Sequence, residues 1–517
     1  MESRTNLTIK NIFAGYIAVI PSTILNIITR YVFIRYISVE YLGASGLFSS
    51  IFAMLSFADL GIGEAITYKL YDPLAKKDKL KVTKLIRFYK FFYLILTIIA
   101  FVFGLLCIPY LPKLTNNSKL PNLVLIYILY LINTLVTYLC ADKKSLLIAN
   151  QQSFVNSFLQ NLFLCIQYLI QLLVIVFTRN FIIYLLIQIF CTIIYALSIN
   201  IYCNKKINDV YDSNIRENLD SSEVKELVTQ SGALVVHKIG SVLLDNLTNI
   251  IISTHLGLLV LGNYSNYLVV VNMCTVLISY LTFPTQASIG NLCASEEDIS
   301  VKELIFKRLD FIIFFIYGLI SLELIICFKD IVQIYTGGVY FPFSLHVLLG
   351  INFLISGLRI INNQFKAANG LFKNDLLRPI AEVIIYFVFG NFAIGYMGVE
   401  GLLIVYILIR IFSTCLIERY IVFKNIFNKS SIKSYLIFIS RIFVFFVMSV
   451  MFYKLSNNFY VGNIFVNLII KCLFTFIVYL IVIYILYNKN TNYIYMRDLL
   501  FGIIVKFISA KFMHPNA

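Results

Sequence analysis

The chain has 517 residues, of which 60% are hydrophobic and only 13% are charged, and its formal net charge is +16. So few polar residues cannot cover a water-soluble globule of this length, which excludes an ordinary soluble enzyme or a folded basic domain for nucleic acid. Apolar runs of about 20 residues recur along the chain, each long enough to cross a hydrocarbon core about 30 Å thick as a helix. Because these runs are apolar on all sides and do not alternate, they favour helices over a membrane β-barrel.

We therefore predict an all-α polytopic membrane protein with about fourteen transmembrane helices. The predicted spans are residues 12–35, 43–68, 86–111, 120–141, 155–178, 181–203, 230–254, 260–286, 307–328, 344–365, 378–397, 399–423, 434–454 and 463–487. The first apolar run is long, begins after Lys10 and lacks a small-x-small cleavage site. We expect it to remain in the protein as a helix, since a cleaved signal peptide would carry that site.

Basic residues in the short loops predict the orientation, because such loops stay in the cytoplasm. The segment after the second span is the most basic one, with Lys69, Lys76, Lys77, Lys79, Lys81, Lys84, Arg87 and Lys90. Placing it inside makes both termini cytoplasmic. The positive net charge is then explained by membrane topology and anionic lipid, and it does not indicate a nucleic-acid partner.

Weak internal symmetry divides the chain into two halves. The sequence Leu-Gly-Ala-Ser-Gly at 42–46, after the first span, corresponds to Leu-Gly-Asn-Tyr-Ser at 261–265, after the seventh. We predict an N-terminal six-helix lobe at 1–203, a cytoplasmic linker at 204–229, a C-terminal six-helix lobe at 230–425, and two extra transmembrane helices with a cytoplasmic tail at 426–517. Two lobes of the same orientation predict a pseudo-two-fold axis along the membrane normal and a cavity that opens to either side, as in transporters.

Charged side chains within the spans are costly unless they face a cavity or a partner. Arg30, Lys238 and Arg359 are candidate ligands for an anionic head group such as a pyrophosphate, to which arginine offers a bidentate fork and lysine a point charge. The alternative for all three is snorkelling or an internal ion pair. Glu323 and Lys471 lie near presumed helix ends or outside the two lobes, which favours a structural role or snorkelling.

Carboxylates within the spans are candidate carriers of a coupling proton or sodium ion. Asp59 and Glu64 flank two glycines in the second span, and Asp245 begins a polar face of the seventh span that also includes Asn249. Asn249 is a further candidate for substrate binding. The alternatives are capping or pairing with the basic loop for the first two acids, and interhelical hydrogen bonds for the seventh span. His237 is either a pH-sensitive group or a packed interfacial histidine.

The ten cysteines lie almost entirely within the predicted spans. They form no C-x-x-C pair, and no Cys/His cluster has metal-ligand spacing along the sequence. We interpret them as small apolar residues that fill space between helices. The sequence therefore predicts no metal site and no cofactor.

Several sequence blocks, spread in order over nearly the whole chain, resemble those of bacterial polysaccharide-repeat flippases. They are YLG at 41–43, FADLGIG at 57–63, LYDPLA at 70–75, HKIG at 237–240, NIIIS at 249–253, LGNYSNY at 261–267, ASIGN at 287–291, and AANGLF at 367–372 with Asp375, Arg378, Pro379 and Glu382. One departure is that the family often has Thr-Asp before the Asn-Ile-Ile-Ile run, whereas this chain has Leu247-Thr248 and its acid at Asp245. The acid is thus displaced by about one helical turn.

This resemblance implies membership of the multidrug/oligosaccharidyl-lipid/polysaccharide exporter superfamily, with two six-helix lobes in a MATE-like arrangement in the bacterial cytoplasmic membrane. The implied cargo is undecaprenyl-pyrophosphate carrying an oligosaccharide, moved to the outer leaflet for O-antigen or capsule assembly. Polysaccharide polymerase and chain-length proteins are the implied partners, besides membrane lipids. The implied protein is not an enzyme and needs no cofactor, with proton or sodium coupling as the energy source.

Two alternatives stay open. A multidrug exporter of the same fold would use the same cavity for cationic drugs, but acidic and aromatic walls would serve it better than Arg30 and Arg359. A membrane-embedded polysaccharide polymerase would need a sizeable outer loop or a concentrated catalytic cluster. The longest predicted outer loop, at about 329–343, contains one acid and no His, Cys or Glu, which offers little for acid–base chemistry.

Overall fold

The structure is a computed structural model that describes residues 4–55, 57–206, 210–211, 217, 219–295, 297–336, 341–456 and 462–513. All the regular secondary structure in these ranges is helical. Long runs of leucine, isoleucine and phenylalanine form the helices, since in lipid a helix satisfies its backbone hydrogen bonds within its own segment. The all-α fold class predicted from the sequence is confirmed.

The helices follow one another along the chain, joined mostly by short turns. They are α1 Arg4–Tyr36, α2 Val39–Leu55, α3 Phe57–Ala75, α4 Lys79–Leu106, α5 Leu111–Leu114, α6 Leu123–Tyr138, α7 Ala141–Ala149, α8 Ser153–Thr178, α9 Phe181–Lys206, α10 Ser221–Ala294, α11 Ile299–Thr336, α12 Phe343–Ala368, α13 Arg378–Ile409, α14 Leu416–Asn425, α15 Ile432–Ser456, α16 Ile464–Tyr487 and α17 Thr491–Met513. Two 3₁₀ turns, Ile108–Tyr110 and Leu371–Asp375, and a π-helical segment, Arg410–Cys415, complete the order.

Ten of the described helical stretches are long and apolar enough to cross a membrane. Two of these, Val235–Thr282 and Leu371–Asn425, are 48 and 55 residues long, which is sufficient for two crossings each. Each contains one glycine with a positive φ, Gly257 at 84° and Gly398 at 59°, a conformation that glycine adopts without a steric penalty. The breaks predicted between spans seven and eight and between spans eleven and twelve fall at these glycines. With α1 and the α2–α3 pair, about fourteen crossings result.

The turn between α8 and α9 shows how a short connection is encoded. Arg179 ends α8 in the left-handed conformation, with φ 51°, and the side-chain oxygen of Asn180 accepts a hydrogen bond from the backbone N–H of Ile182 at 2.8 Å. That contact caps the first turn of α9. Two residues therefore reverse the chain between two membrane-length helices.

The chain forms two compact units. The first comprises Met1–Leu281 with Asp375–Leu402, and the second comprises Thr282–Asn374 with Leu403–Ala517. The first unit has a core in which Leu70 of α3, Tyr89 of α4, Leu146 of α7 and Ile199 of α9 are almost fully buried. The predicted division into lobes at 203 and 230 follows chain order and remains a prediction.

Buried ion pairs join the helices of the second unit. Asp310 of α11 accepts hydrogen bonds from Arg419 of α14 at 3.0 Å and from Arg441 of α15 at 2.5 Å. Asp330 of α11 accepts one from Lys471 of α16 at 2.6 Å. Each charge has its counter-charge within the protein, which lowers the cost of placing it in a low-dielectric environment. The pairs fix α14, α15 and α16 against α11.

We predict that Asp310→Asn strongly destabilises the protein, because it leaves two buried guanidinium groups without their shared carboxylate. Loss of one partner from a buried ion pair costs about 3–5 kcal/mol. Thermal unfolding of the purified protein in detergent measures the effect as a lowered Tm. Asp498→Asn is the matched control, since the Asp498 side chain is 60% exposed in its pair with Arg497. Equal melting temperatures for the two variants would show that the Asp310 pairs do not hold the unit together.

Candidate functional site

Arg30 is at the centre of a polar cluster in the first unit. Its Nε donates a hydrogen bond to Oδ1 of Asn266 at 2.8 Å, and one terminal nitrogen donates to Oγ of Ser265. Arg30 lies on α1, while Ser265 and Asn266 lie on the part of α10 that follows the break at Gly257. Two neutral side chains on that part of α10 thus orient the guanidinium group.

Two tyrosine hydroxyls from two further helices lie near Arg30. The guanidinium group of Arg30 is close enough to act electrostatically on the hydroxyls of Tyr130 on α6 and Tyr184 on α9. Asn266 is only 1% exposed, and its Nδ2 has no hydrogen-bond partner among the described residues. An unsatisfied buried donor costs about 1–3 kcal/mol, so an incoming acceptor oxygen gains free energy there. We call Arg30, Tyr130, Tyr184, Ser265 and Asn266 the Arg30 cluster.

The chemistry of the Arg30 cluster suits an oxygen-rich anion. Guanidinium offers parallel N–H donors that match phosphate oxygens, and hydroxyl and amide groups both donate to and accept from sugar hydroxyls. These donors and acceptors are of the kind that a binding site for such an anion would use.

Residues of the polar face predicted on the seventh span form hydrogen bonds to two different helices. Nδ2 of Asn249 donates to Oγ of Ser50 on α2 at 2.8 Å, and the hydroxyl of Thr248 is 2.7 Å from that of Tyr386 on α13. These are the interhelical hydrogen bonds that the sequence offered as the alternative for this face. Asp245 is an exposed residue of the same helix. The substrate role of Asn249 and the coupling role of Asp245 remain predictions.

The other predicted site residues occupy separate environments. Lys238 is a half-buried residue near the start of the membrane-spanning part of α10. Arg359 on α12 makes a bidentate ion pair with Glu418 on α14 in the second unit, at 2.8 and 2.7 Å, so the internal ion pair considered as its alternative is present. Asp59 and Glu64 lie on α3, but their side chains are outside the described residues. The roles predicted for all four residues remain predictions.

Two of the sequence blocks meet in a buried charge network of the first unit. Nε2 of His237 is 3.1 Å from Oδ1 of Asp375, and Arg378 donates to Asp375 at 2.7 Å and to both oxygens of Glu382 at 2.9 and 3.0 Å. Gly240 lies so close to Pro379 that a Cβ there would overlap its ring. His237 is thus a packed histidine beside an acid. The network explains why these residue types occur together in the two blocks.

Two glycines from the matching turns of the internal repeat make a reciprocal contact. A Cβ on Gly43 of α2 would overlap the carbonyl oxygen of Leu258 on α10, and a Cβ on Gly262 of α10 would overlap the carbonyl oxygen of Val39 on α2. Each glycine stands one helical turn after the residue that its counterpart touches. The backbones of the two helices therefore meet directly, as small residues allow in membrane helix pairs.

Two hydrogen bonds secure the region beside this glycine contact. Oγ of Ser253 donates to the carbonyl oxygen of Leu114 at 2.7 Å, and Nδ2 of Asn116 donates to the carbonyl oxygen of His255 at 3.4 Å. Ser253 and His255 precede the break at Gly257, and Leu114 and Asn116 follow α4. Within the first unit, α2, α10 and the segment after α4 are thus held together at this place.

We predict that Gly43→Ala or Gly262→Ala opens this end of the unit, since an added Cβ forces the two backbones apart. Overpacking costs about 1–3 kcal/mol, equivalent to a shift of about fivefold or more in the closed–open equilibrium. The measurement is the labelling rate of Ser253→Cys with a membrane-impermeant maleimide, with protein lacking that cysteine as the blank.

Gly46→Ala is the matched control on the same helix, because the nearest atom to its Cβ would be a side-chain carbon of Leu261 at 3.9 Å. This variant is expected to label as slowly as the parent. If Gly43→Ala and Gly46→Ala label at the same rate, the glycine contact does not hold the end closed.

Comparisons with known proteins agree with this architecture. No protein-family model matches the chain, and no curated protein matches it by sequence. Among solved structures, an inward-facing multidrug resistance MATE family transporter of the MOP superfamily is 13% identical, with a TM-score of 0.63 over 82% of this chain and 95% of that one. The lipid II flippase MurJ in an inward closed conformation is 16% identical, with a TM-score of 0.60 over 92% and 99%. The Vibrio cholerae MATE transporter VcmN is 15% identical, with a TM-score of 0.55 over 82% and 99%.

The chain is thus similar to multidrug transporters and to a lipid flippase, and it has the fold they share. The sequence predicted Arg30 as a substrate-binding residue, which remains a prediction, and it did not predict the hydrogen-bond partners of Arg30. Ser265 and Asn266 lie in the block at 261–267 that carried the resemblance, so the signal for them was present. Tyr130 and Tyr184 had no signal of their own, because tyrosines occur at 35 positions and are expected at membrane interfaces in any case.

Proposed function

We propose that this protein is a lipid-linked oligosaccharide flippase of the bacterial cytoplasmic membrane, with both termini in the cytoplasm. It moves undecaprenyl-pyrophosphate-linked repeat units from the inner to the outer leaflet by alternating access, driven by a proton or sodium ion. The observation that carries the proposal is the Arg30 cluster, in which a hydroxyl and an amide group accept hydrogen bonds from a guanidinium group inside a transporter-like fold.

The Arg30 cluster supplies the hydrogen bonds that a polar head group loses when it leaves water to cross the membrane. Moving a sugar and a pyrophosphate through hydrocarbon removes hydrogen bonds to water at a cost of several kcal/mol for each group. Arg30 replaces the water around the phosphate oxygens, and Ser265, Asn266 and the tyrosine hydroxyls replace it around the sugar. The lipid tail stays in the bilayer while the head group travels, so the protein needs to bind only the polar end.

A multidrug exporter of the same fold is the second candidate, favoured by the likeness to MATE transporters. Cationic drugs bind best to acids and to aromatic faces, which attract positive charge. Tyr130 and Tyr184 offer such faces, but the nearby Arg30 repels a cation. The cluster therefore supports an anionic head group as the cargo.

Deletion of the gene distinguishes the candidate functions. The proposal expects lipid-linked oligosaccharide to accumulate, in single repeat units, on the cytoplasmic face of the membrane. Single repeats that accumulate on the outer face would indicate a polymerase. New drug sensitivity without accumulation would indicate a multidrug exporter.

We predict that Arg30→Ala reduces glycan export by about tenfold or more, because a hydrogen bond to a charged group contributes about 1.5–3 kcal/mol. Arg30→Lys is expected to retain part of the activity, since it keeps the charge and loses the fork. Export is measured as surface glycan per unit of protein in the membrane.

Arg35→Ala is the matched control, because Arg35 is an exposed residue on the same helix and lies over the ring of Tyr31. It is expected to leave export unchanged. Normal export by Arg30→Ala at normal protein level would rule out the Arg30 cluster as the head-group site.

A further inference from the structure

Helices α11 and α16 of the second unit meet along a polar seam that contains two cysteines and an acid. Glu323 and Cys327 lie one helical turn apart on α11, and Cys472 lies on α16. The sulfur atoms of Cys327 and Cys472 are 3.5 Å apart. One carboxylate oxygen of Glu323 and the two sulfur atoms all lie within 4.8 Å of one another.

The surroundings leave this group with unused coordinating atoms. Oε2 of Glu323 is buried and has no hydrogen-bond partner among the described residues. The nearby cation, Lys471, is paired with Asp330 at 2.6 Å. The hydroxyl of Thr475, which is fully buried one turn after Cys472 on α16, also lacks a hydrogen-bond partner within the described ranges.

The spacing agrees with tetrahedral metal coordination. Zn²⁺ binds thiolate sulfur at about 2.3 Å, so two thiolates on one ion are about 3.8 Å apart. The observed separation of 3.5 Å is close to that value, and it is far longer than the bond of about 2.05 Å in a disulfide. A carboxylate oxygen completes a set of three protein ligands of the types that zinc prefers.

We propose that Glu323, Cys327 and Cys472 form a binding site for a thiophilic divalent cation, with Zn²⁺ as the ion that fits best. Binding displaces the protons of the two thiols and of the buried carboxyl group, and the ion takes their place between the deprotonated ligands. A water molecule supplies the fourth ligand. Glu323 and Cys472 are partly exposed, which gives the ion a path to the site. The bound ion fastens α16 to α11.

Cadmium is the probe for this site, because thiolate coordination to Cd²⁺ produces a charge-transfer absorption that can be titrated. The whole purified protein, kept reduced in detergent, is expected to bind one equivalent of Cd²⁺, and Zn²⁺ is expected to compete for it and to raise the Tm. Cys327→Ser, Cys472→Ser and Glu323→Gln should each weaken binding by about tenfold or more. Metal binding is the readout, so the result is independent of the transport function proposed above.

Two controls keep the outcome clear. Cys274→Ser removes a partly exposed thiol that is not one of the proposed ligands and should leave cadmium binding unchanged. Glu323→Gln preserves size and shape, so its Tm without metal shows whether the protein is folded. Cadmium binding that does not saturate, or that is equal in parent and variants, overturns the proposal. A disulfide between Cys327 and Cys472, found by mass after thiol alkylation of the unreduced protein, overturns it as well.

Discussion

The free-energy cost of placing a charge in hydrocarbon determines which helices of this protein pack against one another. Between apolar helices in a bilayer there is little hydrophobic driving force, because lipid tails are as apolar as leucine side chains. Specific pairing must come from polar contacts and close backbone approach. Asp310 and Asp330 on α11 accept their hydrogen bonds from Arg419, Arg441 and Lys471 on three other helices. A small number of charges thus selects which helices pack together in the second unit.

The same constraint distinguishes two arginines that looked equivalent in the sequence. Arg359 forms two hydrogen bonds to the carboxylate of Glu418, which is 1% exposed, and that carboxylate cancels its charge. Arg30 donates hydrogen bonds to the hydroxyl of Ser265 and to the side-chain amide oxygen of Asn266. A hydroxyl and an amide can also form hydrogen bonds with a polar head group that approaches the guanidinium. For this reason the proposed head-group site is built on Arg30.

Local features of the fold were predictable from the sequence, and long-range pairings were not. Apolar run length located the membrane helices, and the breaks at Gly257 and Gly398 fell where the predicted spans ended. The partners of Arg30 are more than 200 residues away along the chain, and single-sequence periodicity carries no information on such contacts. For the same reason, the sequence did not predict that Cys327 and Cys472 lie close together. A search for ligand spacing along the chain excludes C-x-x-C pairs, but Cys327 and Cys472 come from different helices, 145 positions apart.

The glycine contact links the internal repeat to the proposed transport cycle. Gly43 and Gly262 occupy matching turns of the two sequence halves, and each touches the backbone that precedes the other. Because the contact is reciprocal, separating the helices at one glycine also separates them at the other. Packed backbones of this kind have discrete closed and open arrangements rather than a continuous range. A flippase that works by alternating access needs such an element, since its two ends must not be open together. The repeat that indicated the symmetry in the sequence therefore also contains the glycines of this close backbone contact.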